Sequence, residues 1–135
     1  MTAAQISDTI VSMEKAALER WGKGDPSGFL EIYAPDVVYF DPYQARRVDG
    51  LPALTDSYEK IRGQVHFDRF ELLNPKVQVC GDMAVLTFNY VSFTGNKPSY
   101  WNCTEVYRRD LEGWRIIQSH WSYTEVFKNM MNQGN

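Results

Sequence analysis

Cysteine is nearly missing from this sequence, and the two it has, Cys80 and Cys103, fall inside predicted strands. Neither stands at metal-ligand spacing from the other or from His66 and His120, so the pattern supports no disulfide framework and no metal site and points to buried free thiols. Basic clusters are equally scarce. Arg46-Arg47 and Arg108-Arg109 are the densest, in a chain of net charge −3, and a phosphate backbone demands more clustered Lys and Arg to displace its counterions. Nucleic acid is therefore not an expected partner. No apolar run reaches the roughly 18 residues of a membrane span, and the polar, acidic N-terminus lacks the apolar core of a signal peptide. The expectation is a soluble, cytoplasmic protein with no membrane contact. Repeats, low-complexity tracts and linkers are absent too, and 135 residues hold one core and no second unit. One domain over 1–135 is expected, with a core from about 5 to 124 and a tail from 125 to 135.

Aromatic side chains, by contrast, make up 14% of the chain, enough to suggest a pocket or an interface beyond ordinary packing. Near the start, Ile6, Ile10, Met13, Ala17 and Trp21 recur at steps of three and four, the stripe of a helix from about Gln5 to Trp21 packed by one face. Gly22-Lys23-Gly24 breaks it. Asp25 as N-cap and Pro26 at the first helical position start a second, short helix, which Pro35 stops and whose Phe29, Leu30 and Tyr33 face the core. Val37 to Asp41 reads as a strand closed by Pro42, with Val37, Tyr39 and Asp41 on one face. A polar loop over 43–49 follows. Leu51, Leu54, Tyr58 and Ile61 then return to helical spacing until Gly63, a C-cap.

Beyond Gly63 every signal is strand or turn. Strands are predicted over about 65–73, 76–80, 84–93, 99–109 and 114–124, separated by turn chemistry at Asn74-Pro75, Gly81-Asp82, 94–98 and 110–113. Connections this short make an antiparallel meander. Helices first and strands later predict an α+β fold, one curved antiparallel sheet with the three N-terminal helices on one face. Val126, Phe127, Met130 and Met131 in the tail suit a last helical turn or a partner contact.

Within the strand 99–109, alternation puts Trp101, Cys103, Glu105 and Tyr107 on one face. A carboxylate among rings must find a partner or shift its pKa upward. An arginine such as Arg46, Arg47 or Arg69 is one candidate partner. Tyr33, Tyr39, Tyr58, Tyr90, Trp101, Tyr107 and Trp121 come from several elements and carry polar tips. Core packing explains each singly, but together they favour a ligand-binding cavity, because a dry core leaves such tips unsatisfied.

Gly24-Asp25, Phe40-Asp41-Pro42, Val48-Asp49-Gly50-Leu51, Leu73-Asn74-Pro75 and the run Trp114 to Ser122 resemble the nuclear-transport-factor-2-like superfamily over about residues 5–124. That superfamily includes ketosteroid isomerases, SnoaL-like polyketide cyclases and the association domain of calcium/calmodulin-dependent protein kinase II, and the last three segments are most similar to the association domain. The resemblance implies a cone-shaped sheet with the three helices on its concave face. It also chooses that face, made of Leu86, Phe88 and Tyr90, then Trp101, Cys103, Glu105 and Tyr107, then Ile117, Ser119, Trp121 and Tyr123. Trp114, Ile116, Gln118, His120 and Ser122 would lie on the convex face, implied to be a homodimer contact, and His120 reads there as structural. Turned inward, it would be a proton shuttle.

Carried over residue by residue, the resemblance implies Asp41 as general base and Glu105 as a protonated acid donating to a substrate oxygen, both facing one pocket and working without a cofactor. The isomerase's helix-one tyrosine falls near Ala17, and the association domain's pocket arginines appear as Tyr90, Glu105 and Trp121. Two close carboxyls repel, so one stays neutral while the other ionises, as acid–base catalysis requires. Otherwise Asp41 merely caps the turn before Pro42. Two functions remain open. One is a pocket for a small, partly apolar organic ligand with isomerase-, dehydratase- or cyclase-type proton transfer. The other is a non-catalytic ligand-binding or oligomerisation domain.

Overall fold

The computed structural model describes residues 1–124; the predicted contact residues Val126, Phe127, Met130 and Met131 lie outside them. Helix α1 spans Ala3–Trp21 and is started by a capping box, in which the Gln5 amide donates to Thr2 Oγ1 and the Thr2 amide donates to Gln5 Oε1. It buries Ile6, Ile10, Ala17 and Leu18, and among them Glu14. Helix α2 covers only Ser27–Leu30, with Asp25 Oδ1 accepting from the Ser27 amide at its start.

Strand β1 runs over Tyr33–Phe40, so the second helix stops earlier than the sequence suggests and Tyr33 belongs to the sheet. Pro35 lies inside this strand, where β1 slips against its neighbour between Tyr33 and Val38. Such an irregularity is where a residue without an amide hydrogen is tolerated. Part of the expected 43–49 loop is a strand as well, β2 over Val48–Asp49, paired with Val38 and Tyr39. Helix α3, Leu51–Glu59, ends before Gly63, and turns carry the chain on to that glycine.

The remaining strands are β3 Arg69–Cys80, β4 Met83–Thr94, β5 Lys97–Asp110 and β6 Gly113–Tyr123. Asn74-Pro75 is not a turn between strands. It is a register shift inside a continuous β3, with Asn74 at φ 51°. The sheet order is β2-β1-β6-β5-β4-β3. From β3 to β6 it is the expected antiparallel meander, but β1 joins β6 in parallel, which the crossing through α3 from β2 at one edge to β3 at the other makes possible. The result is an open, curved α+β sheet. Helix α1 packs on α2 and β3, and α3 packs on β1. Within the described residues no helix is long and apolar enough to cross a membrane.

Register across β4 and β5 bears out the inner face. Leu86 stands opposite Glu105, Phe88 opposite Cys103 and Tyr90 opposite Trp101. Strand β6 departs from simple alternation. Its register shifts between the Val106–Gln118 and Tyr107–Ile116 pairs, leaving Ile117 as the extra residue of a bulge. Before the bulge the inward residues are Trp114 and Ile116, 4% and 0% exposed; after it they are Ser119 and Trp121. This corrects the expectation that Trp114 and Ile116 lie on the convex face. His120 does lie on the outer face, exposed, its ring 5.2 Å from that of Phe40.

Candidate functional site

Between the helices and the sheet lies a cavity of about 430 Å³, inside the range of about 300–1,000 Å³ typical of small-molecule sites. Leu18 and Trp21 from the end of α1, Phe29 from α2, Ser57 and Tyr58 from α3, Tyr39 from β1, Tyr90 and Ser92 from β4, Ser99 and Trp101 from β5, and Trp121 from β6 line it, with Asp41, Tyr43 and Gln44 from the loop after β1. Ile61, Val65 and Phe67 complete the wall. Gly24 and Gly63 hold the base together, both at positive φ, with the Gly63 amide donating to the Gly24 carbonyl at 2.8 Å.

Asp41 is the charged side chain at this wall. Its Oδ2 accepts the Tyr39 hydroxyl hydrogen at 2.7 Å, while Oδ1 accepts the backbone amides of Tyr43 at 2.7 Å and Gln44 at 3.1 Å. The turn-capping role and the cavity-facing role therefore coincide in one carboxyl. Behind Asp41 the tyrosines form a chain. Tyr33 and Tyr58 share a hydrogen bond of 2.8 Å between their hydroxyls, and Tyr39 and Tyr58 also interact through theirs. Each phenol has one hydrogen. With Tyr39 donating to Asp41, and Tyr33 donating to Tyr58, the Tyr58 hydrogen is left for the Tyr39 oxygen or for a ligand. Burial pushes all three phenols upward, so they are neutral donors at neutral pH.

Tyr39, Tyr58, Tyr90, Trp101 and Trp121 of the predicted set line the cavity, whereas Tyr33 and Tyr107 stand behind the wall. Glu105 also stands outside the lining. It is fully buried, and its partner is neither Asp41 nor an arginine but Glu14 from α1, equally buried. Tyr107 donates its hydroxyl hydrogen to Glu14 Oε1 at 2.7 Å, and the Cys103 thiol lies 3.7 Å from Glu105 Oε1. Each acid keeps an Oε2 that meets no donor among the described residues. Yet the two side chains hydrogen bond to one another. One hydrogen held between two carboxyls accounts for both facts, since two carboxylates could not bond.

Burial pushes Glu14 up to about 7 and raises Glu105 well above its ordinary value with help from the Glu14 charge; the bond between them lowers Glu14 and raises Glu105, so Glu105 holds the hydrogen and Glu14 accepts it. The pair reaches the cavity indirectly: the Trp121 indole N–H donates to Ser119 Oγ at 3.1 Å, and Ser119 hydrogen bonds to Glu105. Glu105 thus holds a wall of the cavity through Ser119.

Sequence reasoning missed Glu14, although its position four residues after Ile10 and four before Leu18 places it within the buried stripe. It also missed Trp21, Phe29, Phe67 and Tyr43 as lining. Trp21 and Phe29 read as core, and Tyr43 lay in a loop whose path no periodicity predicts. Among the described residues no group of His, Cys, Asp and Glu is placed to hold a metal ion. Cys80 is exposed rather than buried, and Cys103 is buried as expected.

The SnoaL-like domain family model matches residues 10–125. Among solved structures, a candidate ketosteroid isomerase from Parabacteroides distasonis is 41% identical, with 90% of each chain covered and a TM-score of 0.81. A nuclear-transport-factor-2-like protein of unknown function from Pseudomonas putida is 26% identical, covering 90% of this chain and 89% of its own, at TM-score 0.79. A candidate calcium/calmodulin-dependent protein kinase type II association domain from Thiobacillus denitrificans shares the fold at 20% identity, covering 84% of this chain and 93% of its own, at TM-score 0.68. Comparison with curated proteins gives no match.

Proposed function

Because the chain belongs to the SnoaL-like domain family, we propose that its cavity binds a small, partly apolar organic molecule and moves a proton on it, with Asp41 as the acceptor. The observation that carries this reading is the Asp41 carboxyl at the wall of a 430 Å³ aromatic cavity, fixed by the Tyr39 hydroxyl and two backbone amides. A base held by three donors keeps its orientation while a ligand enters. The step removes hydrogen from carbon next to a carbonyl. The C–H bond breaks, an O–H bond forms at Asp41, and the electron pair moves onto the carbonyl oxygen. Tyr58, with Tyr33 donating into it, supplies a hydrogen to that oxygen. Return of the proton to a different carbon is an isomerisation, and loss of a β-hydroxyl is a dehydration. Glu105 takes a positioning role in this scheme, holding Trp121 through Ser119.

The test is deuterium uptake. With the full chain in D2O and a panel of small cyclic ketones, NMR is expected to show protein-dependent exchange at the carbon next to the carbonyl. Asp41→Asn should slow it by about 10²-fold or more. Exchange undiminished in that variant removes Asp41 from the chemistry.

A second reading, a homodimer formed through the outer sheet face, draws on Phe40, which is 42% exposed beside His120. Such a contact is compatible with a working cavity on the opposite face. Phe40→Asp followed by sedimentation tests it: a dimer that becomes monomeric supports this face, and one that persists excludes it.

A further inference from the structure

We propose that the ligand of the aromatic cavity is a small organic cation, a molecule carrying an ammonium group. The inference rests on the reading of this cavity as the working site and adds the charge of what it holds.

Three observations carry it. First, among the described residues Asp41 is the one charged side chain in the lining, with no Lys, Arg or His to meet an anion. Two arginines of the flanking elements, Arg20 and Arg62, both pair with Asp25. A carboxylate- or phosphate-bearing ligand would be desolvated against Asp41 with no counter-charge, which strongly opposes its binding.

Second, three donors of the wall are already used. The Trp121 indole N–H is given to Ser119 and the Trp101 indole N–H to Ser99 at 2.9 Å, each two residues back on its own strand. The Tyr39 hydroxyl is given to Asp41, and the Tyr90 oxygen accepts a hydrogen bond from Ser92. What the two indoles and Tyr39 leave for a ligand is ring faces and an acceptor oxygen. A neutral apolar molecule would explain the rings, but it would gain nothing from the negative charge of Asp41.

Third, the rings form a box. Trp121 meets Tyr90 at 5.7 Å and 81°, Trp101 at 6.3 Å and 83°, and Phe29 at 6.3 Å and 87°. Phe29, Tyr90, Trp101 and Trp121 all line the cavity, and aromatic rings grouped around an enclosed space supply the π surface that attracts ammonium groups. The Glu14–Glu105 pair behind Ser119 adds negative charge below the same wall as Glu14 ionises. In the proton-transfer scheme, a positive charge close to the reacting carbon also stabilises the electron pair left when Asp41 takes the hydrogen.

The experiment is a tryptophan-fluorescence titration of the full chain with three probes of one shape: choline, the neutral 3,3-dimethylbutan-1-ol and the anionic 3,3-dimethylbutanoate. Choline should saturate and bind at least about tenfold more tightly than the alcohol, and the carboxylate should not saturate. Asp41→Asn, nearly isosteric, should narrow the choline–alcohol difference, and Trp121→Leu should weaken choline. Equal or tighter binding of the alcohol, preferential binding of the carboxylate, or saturation by none of the three overturns the inference. Either of the first two leaves a working cavity with a different ligand charge, and the deuterium-uptake assay judges the proton-transfer reading separately.

Discussion

Glu14 of α1 and Glu105 of β5 face one another in the closed interior and share a hydrogen, with Tyr107 donating to the first and Ser119 bonding to the second. Two acids without a cation beside them are a standing cost that the surrounding rings cannot offset.

Stability should fall as pH rises through neutrality. Glu14 has an ordinary value of 4.5 and about 7 in the fold, so between these values the folded chain holds a hydrogen that the unfolded chain has lost. The contribution is fully present below about 4.5 and disappears as pH rises through about 7, a difference on the order of 3 kcal/mol. Glu105, also raised well above its ordinary value, holds a hydrogen that the unfolded chain has lost and adds to the drop. Denaturant melts at pH 5 and pH 8 should show the drop, and Glu14→Gln should lessen it and be the more stable protein at pH 8. A wild-type stability that is level or rises over this range would show that burial does not hold a hydrogen on Glu14 up to neutrality.

Trp114→Asp or Ile116→Asp should unfold the domain rather than dissociate an oligomer. Both side chains are in the core, and a buried unpaired carboxylate costs more than about 3 kcal/mol. Circular dichroism should show loss of the native fold in both, and Phe40→Asp should keep it.

Those two positions also show where the sequence was legible. Alternation along β4 and β5 holds from Ala84 to Tyr90 and from Trp101 to Tyr107, so the inner face could be read residue by residue. In β6 the bulge at Ile117 inverts alternation on one side, and Trp114 and Ile116 change faces with it. A bulge has no compositional signature, and Ile-Ile reads the same in either register. Pro35 misled differently: the rule that proline ends a helix is sound, but here it marks an irregular strand already begun at Tyr33. At the site, Asp41 was readable from its place after a β-run and before Pro42. The partner of Glu105 was not, because Glu14 comes from a helix whose depth against β5 depends on tertiary packing.

Tyr39→Phe should uncouple Asp41 from the tyrosine chain while leaving its backbone donors in place. Loss of this hydrogen bond should cost about 1 kcal/mol in stability. Deuterium exchange should slow by about tenfold through misplacement of the base, with the loss in kcat rather than in ligand affinity. A variant that exchanges as fast as wild type would show that the hydroxyl is not needed to place Asp41.

Ser119→Ala should cut the link from Glu105 to Trp121. The Trp121 emission spectrum should shift as its N–H loses its acceptor, and choline affinity should fall a few-fold, on the scale of about 1 kcal/mol for one hydrogen bond. Emission and affinity both unchanged would remove Glu105 from any part in shaping the cavity.

The most direct measurement compares deuterium uptake into the ketone panel by the wild type, Asp41→Asn and Glu105→Gln at one pH. With Asp41 at the wall and Glu105 behind it, exchange should be lost in Asp41→Asn, by about 10²-fold or more, and retained within about tenfold in Glu105→Gln. The opposite pattern, exchange that survives in Asp41→Asn and is abolished in Glu105→Gln, would contradict the placement of the chemistry at Asp41.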